Sequence, residues 1–161
     1  MRAAILTISD SAARGEREDA SGPALEQRCR DLGWEAVAAA IVPDEGRAIA
    51  QKLREWADSG EFSLILTTGG TGISARDVTP EATRGILDRE LLGIAELMRM
   101  KGLEQTQFSV LSRAVAGTRA RTLIVNLPGS PRGAVHSFDI VRDLVPHIVD
   151  LLSGRTEHGT R

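Results

Sequence analysis

The chain has 161 residues and a formal net charge of −2, with 42% hydrophobic and 26% charged residues. These values are typical of one ordinary globular domain. The near-zero charge gives no general attraction to nucleic acid or to an anionic membrane. Aromatic residues make up only 3% and include no Tyr, so few side chains could stack on bases. We therefore expect no nucleic-acid partner and no membrane partner.

The compartment is indicated by the cysteine count and by the N-terminus. The single cysteine, Cys29, cannot form an internal disulfide, which suits a reducing compartment. We expect Cys29 to pack inside the first helix rather than to act as a reactive thiol. Because Met1 leads directly into a predicted strand, we expect no signal peptide, and no apolar run approaches the ~20 residues that cross a membrane. The sequence therefore predicts a cytoplasmic protein with a single domain over 1–161 and a flexible tail over 153–161.

Strands and helices alternate along the chain, with glycines such as Gly33 and Gly60 marking helix ends. In the first half we predict a strand over 3–8, a mobile or substrate-facing loop over 14–19, a helix over 23–31, a strand over 37–42 and a helix over 47–57. In the second half we predict a strand over 62–66, helices over 80–88 and 94–103 with a break near Gly93, a strand over 123–126, and a closing helix to about 152 that is perturbed near Pro146. The run 108–111 is too short to assign.

The most informative stretch is the glycine-rich turn in TTGGTG, residues 67–72. Glycines that follow a buried strand let the backbone adopt φ > 0 and bring its amides close to a ligand. Thr79 is predicted as a helix N-cap and Pro80 as the first helical residue, so a helix begins just beyond the turn. This order predicts an anion site, although such turns also occur for packing alone. It is not a P-loop, because Gly72 is followed by Ile73 rather than by Lys.

A second glycine turn, LPGSPRG at 127–133, follows the predicted strand over 123–126. Ser130 and Pro131 repeat the order of Thr79 and Pro80, so another capped helix begins there. Alternating strands and helices predict an α/β fold, a three-layer sandwich with a mostly parallel sheet and helices on both faces. Ligands of such sheets bind at the carboxyl ends of the strands, so the polar residues there should share one crevice. They are Ser9, Asp10, Asp44, the 69–77 loop and the 129–132 turn.

Carboxylates beside helix N-termini fit a phosphate-rich substrate with Mg²⁺, because amides bind phosphate oxygens and acids hold the metal. No paired cysteines or close His/Glu spacing indicates zinc, and no Gly-x-Ser-x-Gly motif indicates an acyl hydrolase. We expect His136, His147 and His158 to face solvent or to pack rather than to catalyse. A phosphate nucleophile is already ionised near neutral pH and needs no protein base. Positioning and charge neutralisation would then supply most of the rate.

Together these motifs resemble the molybdopterin adenylyltransferase family, the MogA/MoaB group that includes the G domain of gephyrin. The resemblance covers about 1–152 and rests on TTGGTG at 67–72, RDVTPEAT at 76–83, LPGSPRGA at 127–134, TISD at 7–10 and VPDE at 42–45. It implies a MogA/MoaB-like fold and an enzyme that transfers AMP from Mg-ATP to the terminal phosphate of molybdopterin, with release of pyrophosphate. It also implies a homotrimer, or a hexamer as in some branches, and contact with other molybdenum cofactor biosynthesis proteins.

By matching motifs, the resemblance assigns roles to particular residues. Asp77 and Asp44 are the expected catalytic acids and Mg²⁺ ligands, although either could instead cap a helix or form a turn. Arg76 could add positive charge to the site or pair with a neighbouring acid. The residues expected to bind nucleotide and molybdopterin phosphates are Ser9, Asp10, Thr68, Gly69, Gly70, Thr71, Gly72, Arg76, Pro128, Gly129, Ser130 and Arg132.

Two other classes of function stay open at this point. A non-catalytic molybdopterin-binding protein of the MoaB branch would need the pocket but not two metal-binding acids, so Asp44 and Asp77 together favour the enzyme. A scaffold role like that of gephyrin is disfavoured, because the sequence shows one domain without a linker. The sequence does not distinguish a molybdenum from a tungsten pathway.

Overall fold

The computed structural model describes residues 1–155, and a six-stranded sheet forms its centre. The strands are β1 (Arg2–Ile8), β2 (Glu35–Val42), β3 (Leu64–Thr68), β4 (Arg89–Glu90), β5 (Ala116–Arg119) and β6 (Thr122–Leu127). Their order across the sheet is β2-β1-β3-β6-β5-β4. The first four in this order are mutually parallel, whereas β5 runs antiparallel to β6 and β4 runs antiparallel to β5. The prediction of a mostly parallel sheet is confirmed.

Helices cover both faces of the sheet, which confirms the predicted three-layer sandwich. They are α1 (Asp10–Ala13), α2 (Ser21–Asp31), α3 (Gly46–Ser59), α4 (Thr79–Arg84), α5 (Leu92–Gly102), α6 (Pro131–Val141) and α7 (Val145–Leu152). One core cluster joins the sheet to α2, α5, α6 and α7, and includes Leu25, Met98 and Phe138. The other joins it to α3 and α4, and includes Leu53 and Ala82. The central strands β1, β3 and β6 are therefore buried on both faces, as parallel strands between helical layers must be.

Most predicted boundaries lie within two residues of the observed ones. The helices end before Gly33 and Gly60, both of which have a φ of 73°. The side chain of Ser130 caps α6 as predicted, since its hydroxyl accepts a hydrogen bond from the Gly133 amide. The closing helix is interrupted by a 3₁₀ turn over Arg142–Leu144, and Pro146 lies in the first turn of α7.

The predictions around the glycine turn need correction. The third strand covers Leu64–Thr68 rather than 62–66, so Thr67 and Thr68 belong to the buried strand. Thr79 is the first residue of α4 and not its N-cap, because its hydroxyl donates to the Gly69 carbonyl at 2.9 Å instead of capping an amide. The helix ends at Arg84, four residues earlier than predicted.

Further differences come from elements too short to leave a sequence pattern. The two helices are separated as predicted, but the break lies over 85–91 and contains β4, so Gly93 falls in the first turn of α5. Neither β4 nor β5 was predicted, and α1 was not predicted either. The unassigned run 108–111 lies in a 3₁₀ helix over Gln107–Leu111.

Cys29 is fully buried in α2, where burial raises the pKa of its thiol to about 11. This supports the prediction of a packing role, because a thiolate is the reactive form of cysteine. Of the predicted tail 153–161, residues 156–161 lie outside the described part of the chain. Among the described residues, no helix is both long enough and apolar enough to span a bilayer.

Candidate active site

The carboxyl ends of β1, β2, β3 and β6 meet at one edge of the sheet, because these four strands are parallel. The turn after β3 and the turn after β6 are packed directly together there. The Gly69 amide donates to the Leu127 carbonyl at 3.1 Å, and the Thr68 hydroxyl donates to the Pro128 carbonyl at 2.7 Å. A Cβ at Gly129 would lie only 3.3 Å from Cα of Gly69. The two predicted glycine turns therefore form one structural unit.

The backbone polarity of the Gly69–Gly72 turn is well suited to an anion. All four of its carbonyl oxygens accept hydrogen bonds from outside the turn, two from Thr79 and two from Arg113. By contrast, the amides of residues 70–73 donate no hydrogen bond within the described chain. Consecutive free amides form a concave anion-binding site. The four carbonyl bonds are Thr79 Oγ1 to Gly69 at 2.9 Å, Thr79 N to Gly70 at 3.1 Å, Arg113 N to Thr71 at 2.9 Å and Arg113 Nε to Gly72 at 2.7 Å.

Gly69→Ala tests whether this turn depends on glycine. Gly69 has a φ of 103°, and a Cβ there would overlap the carbonyl oxygen of Ile8. We expect the free energy of unfolding to fall by about 2–5 kcal/mol, because backbone strain and overpacking add. The control is Gly33→Ala, whose φ of 73° is also positive but whose Cβ would meet nothing within 4 Å.

Chemical denaturation of both variants measures this difference. Gly33→Ala should cost only about 1–2 kcal/mol, the price of a left-handed backbone for an L-residue. Equal losses for the two variants would show that Gly69 is needed for its φ alone and not for the close approach to β1.

A cavity of about 700 Å³ opens between the two glycine turns and the segment that runs from α5 through the 3₁₀ helix. Its polar wall contains most of the phosphate-binding residues predicted from the sequence. Its other wall, which was not predicted, combines apolar side chains with polar ones. The predicted residues in the lining are Gly70, Thr71, Gly72, Asp77, Pro128, Gly129, Ser130 and Arg132, and the apolar ones include Met98, Phe108 and Leu111.

Asp77 lies at the cavity edge of the glycine turn. Its Oδ2 accepts a hydrogen bond from the Ser74 amide at 2.9 Å, and its own amide donates to the Ser74 carbonyl at 2.9 Å. A Cβ at Gly72 would lie 2.8 Å from Oδ2. The carboxylate is therefore part of a turn and lies beside Gly72, one of the residues with a free amide.

Asp44 and Asp10 form a reciprocal pair beside the glycine turn, outside the cavity lining. The Asp10 amide donates to Asp44 Oδ2 at 2.8 Å, and the Asp44 amide donates to Asp10 Oδ1 at 2.9 Å. Arg76 binds both oxygens of Asp10 at 2.9 and 3.0 Å, so it pairs with a neighbouring acid. Ser9 caps α1, with its hydroxyl 3.2 Å from the Ala12 amide.

The two acids of this pair have opposite electrostatic environments. Burial raises the pKa of the Asp44 carboxyl, and the charges of Asp10 and Asp77 raise it further. The hydrogen bond from Arg76 holds the pKa of Asp10 below its usual value. Asp44 Oδ1 lies on the glycine turn, 3.2 Å from the place of a Cβ at Gly70. Among the described residues Asp44 forms no ion pair, and the charge of Arg76 and the hydrogen bond from the Asp10 amide only partly offset the rise in its pKa.

Asp44 and Asp77 flank the glycine turn at Gly70 and Gly72, and this donor set fits Mg²⁺. Each carboxylate uses only Oδ2 in the hydrogen bonds described above, which leaves Oδ1 for a metal. Within residues 1–155 no cluster of three or more metal-ligating side chains is found. Mg²⁺ in nucleotide enzymes usually takes one or two carboxylates and completes its shell with water and phosphate oxygens. Two carboxylates beside free amides are therefore an appropriate set.

Thr68 does not fit the role predicted for it. Its side chain is fully buried, and its hydroxyl is used by the Pro128 carbonyl. Its position links the two turns instead of exposing a group to phosphate.

Sequence reasoning missed Arg113 and the place of His136. Arg113 follows the 3₁₀ segment, far from the glycine turn in the chain, and no local pattern distinguishes it. His136 lines the cavity, and its Nε2 is the one buried side-chain polar atom of the described residues that lacks a hydrogen-bond partner. His147 is exposed as predicted, and His158 lies outside the described residues.

Residues 4–147 match the family described as "Probable molybdopterin binding domain". The chain belongs to this family. The molybdopterin adenylyltransferase of Helicobacter pylori is 39% identical over 152 residues, which cover 93% of this chain and 86% of that protein. These findings confirm the family resemblance stated from the motifs.

Two further relatives show how much of the chain the similarity covers. The molybdenum cofactor synthesis protein cinnamon of Drosophila melanogaster is 43% identical over 149 residues, which cover 92% of this chain. The chain spans only a quarter of the length of cinnamon. The crystal structure of the molybdopterin biosynthesis enzyme MoaB from Thermus thermophilus is 51% identical, with a TM-score of 0.89 and coverage of 95% of this chain and 96% of that one. The MogA/MoaB-like fold is thereby confirmed.

Proposed function

We propose that the protein is a molybdopterin adenylyltransferase of molybdenum cofactor biosynthesis. In this reaction AMP moves from ATP to the terminal phosphate of molybdopterin, and pyrophosphate is released. The observation that carries the proposal is the glycine turn with free amides over 70–73, flanked by the carboxylates of Asp44 and Asp77. The H. pylori relative, which matches over nearly the whole chain, bears the name of this activity.

The reaction requires a site that binds anions and fixes their orientation. An oxygen of the molybdopterin phosphate attacks the α-phosphorus of ATP, and the bond from that phosphorus to the oxygen bridging to the β-phosphorus breaks. The leaving group is pyrophosphate, which takes the electron pair of that bond. The nucleophile is already ionised, so the protein's work is to align the reacting groups and stabilise their charge. Free amides at 70–73 and Arg132 at the rim of the cavity provide donors for this purpose.

Asp44 and Asp77 would hold Mg²⁺ beside the same amides. The ion, when bound, neutralises negative charge on the nucleotide phosphates. The raised pKa of Asp44 agrees with such a role, because a cation would remove the electrostatic cost of its burial.

The apolar side chains in the second wall of the cavity suit the ring portion of a substrate. Met98, Phe108 and Leu111 face the polar wall formed by the two glycine turns. A cavity of about 700 Å³ is larger than phosphate groups alone require. We propose that molybdopterin and ATP are the ligands, with their phosphates at the glycine turns.

A non-catalytic molybdopterin-binding protein is the alternative, and one observation favours it. Both acids already have structural roles, since Asp44 binds the Asp10 amide and Asp77 closes a turn with Ser74. Their presence alone therefore does not require a reaction.

A discontinuous assay separates the two functions. Purified protein is incubated with molybdopterin and Mg-ATP, without any other protein, and the mixture is chromatographed for adenylylated molybdopterin. We expect product together with an equal amount of pyrophosphate. If the protein binds molybdopterin but makes no product, the non-catalytic binding function is supported and the enzyme function is rejected.

We also propose a cytoplasmic homotrimer that contacts other proteins of molybdenum cofactor biosynthesis, with a hexamer as the alternative. The lone, buried Cys29 is compatible with a reducing compartment. Exposed apolar side chains concentrate on α5 and the following 3₁₀ segment, which provides a surface for self-association. Apart from Phe108 and Leu111, which line the cavity, they are Leu92, Met100, Leu103 and Val110. Light scattering after gel filtration would give three chain masses for the trimer, six for the hexamer, and one if this proposal is wrong.

A further inference from the structure

We propose that Arg113 is a positioning residue for the proposed AMP transfer, which shapes the anion-binding turn and holds Asp77 in place. The proposal rests on the proposed function for its kinetic consequence, but its structural part concerns the turn itself. Arg113 lies between the 3₁₀ helix over Gln107–Leu111 and β5, and no sequence motif of the site includes it.

Arg113 binds the turn at several points at once. Its amide donates to the Thr71 carbonyl at 2.9 Å, and its Nε donates to the Gly72 carbonyl at 2.7 Å. Its Nη2 donates to the Asp77 carbonyl at 2.6 Å, and its Nη1 pairs with Glu81. One residue therefore connects both ends of the 71–77 loop to the first turn of α4.

These bonds fix which way the peptide groups of the turn point. A carbonyl directed at a bound phosphate would repel it, whereas an amide would attract it. By accepting from Arg113, the carbonyls of Thr71 and Gly72 are turned away from the cavity. The amides of Gly72 and Ile73, which belong to the same two peptide groups, are left free within the described chain. Arg113 thus maintains the polarity that makes the turn an anion site.

The bond to the Asp77 carbonyl holds the backbone of the proposed catalytic acid. The same guanidinium holds Gly72, where a Cβ would lie 2.8 Å from the Asp77 carboxylate, so the acid and the adjoining amides are fixed relative to each other. A misplacement of about 1 Å in such an arrangement can lower the rate about 10²-fold. Arg113 acts through Asp77 and the turn, and no contact with substrate is required.

The geometry requires a guanidinium rather than a positive charge. Arg presents several N–H donors in a rigid planar fork, whereas Lys presents a single ammonium on a flexible chain. Lysine at this position could keep the attraction to Glu81 but could not also bind the carbonyls of Gly72 and Asp77 in fixed geometry. The ion pair itself should contribute little, because the side chains of Arg113 and Glu81 are 37% and 56% exposed.

The test compares Arg113→Ala and Arg113→Lys with Glu81→Gln and Arg119→Ala. Arg119 is a matched control, since it binds Asp58 through two nitrogens and donates to the Ile86 carbonyl, away from the cavity. We expect kcat to fall at least about tenfold in both Arg113 variants. Glu81→Gln and Arg119→Ala should stay within about threefold of the wild type, as exposed ion pairs do.

Two results would overturn the proposal. Restoration of the wild-type kcat in Arg113→Lys would show that only charge matters. If Arg119→Ala lowers both the Tm and kcat as much as Arg113→Ala does, Arg113 contributes only to the general stability of the fold.

A binding measurement keeps this test independent of the proposed function. Pyrophosphate is titrated into each variant by calorimetry, whether or not the wild type makes adenylylated molybdopterin. We expect both Arg113 variants to bind pyrophosphate at least about tenfold more weakly than the controls. Unchanged pyrophosphate binding in Arg113→Ala would overturn the role in the turn. Absence of product from the wild type would overturn the proposed function alone.

Discussion

Asp77→Asn is expected to lower the turnover of AMP transfer by at least ~10²-fold while molybdopterin still binds. Asparagine keeps the size of the side chain, and its Oδ1 can still accept the hydrogen bond from the Ser74 amide. The substitution therefore removes the charge without breaking the turn. A loss of this size in kcat would place the charge of Asp77 in the stabilisation of the transition state.

The control for Asp77→Asn is Asp88→Asn. Asp88 is an exposed carboxylate that also accepts a backbone hydrogen bond, from the Ala120 amide at 2.7 Å. It lies outside the cavity lining, so its removal should leave kcat unchanged. Equal activity of Asp77→Asn and the wild type would assign Asp77 to the turn alone. It would also leave the proposed reaction without one of its two acids.

Asp44→Asn is expected to lose activity by about 10²-fold and yet to raise the Tm at neutral pH. Burial and the charges of Asp10 and Asp77 raise the pKa of Asp44, so its ionised form is unfavourable in the native state. Asparagine removes that charge and can still accept the Asp10 amide through Oδ1. Functional residues often carry such a cost in stability.

The pH dependence of this gain has a definite sign. Below the usual pKa of 3.8, Asp44 is protonated in both folded and unfolded chains, so the variant and the wild type should be equally stable. As the pH rises from 3.8 through the higher native pKa, the unfolded chain loses its proton first, and the wild type loses stability relative to Asp44→Asn. Above the native pKa the difference is constant.

Asp10→Asn should have the opposite effect on the Tm when thermal denaturation is followed over the same pH range. The pKa of Asp10 is lowered, chiefly by its hydrogen bond to Arg76, so its charge stabilises the native state. That contribution is present above the usual pKa of 3.8 and is lost as the pH falls through the native pKa. Asp10→Asn should therefore lower the Tm at neutral pH. A lower Tm in Asp44→Asn as well would show that the charge of Asp44 is stabilising, contrary to the burial argument.

The sequence predicted the strands and helices that are marked by a pattern among neighbouring residues. Buried strands such as β1 and β6 are continuous apolar runs, and helix ends carry a glycine or a cap such as Ser130. The short strands β4 and β5 have too few residues for a periodic signal. They exist because β6 offers an edge on which β5 pairs, and β5 in turn pairs with β4.

The candidate site also has parts that the sequence predicted and parts that it could not predict. Parallel strands were enough to bring Asp10, Asp44 and the two glycine turns to one edge of the sheet. The sequence could not show that Thr68 is used by the Pro128 carbonyl or that Arg76 pairs with Asp10. Those contacts depend on side-chain directions that strand order does not specify.

By itself, the sequence determined the four parallel strands, the two glycine turns and the edge where they meet, because hydrophobic period, glycine and capping residues act on their near neighbours. Only the tertiary structure decided the polarity of the anion site. Arg113 reaches the Gly72 carbonyl across 41 residues of sequence and turns it outward, a contact no local pattern encodes. The second wall of the cavity also belongs to α5 and the following 3₁₀ segment, which approach the turns only when the chain packs.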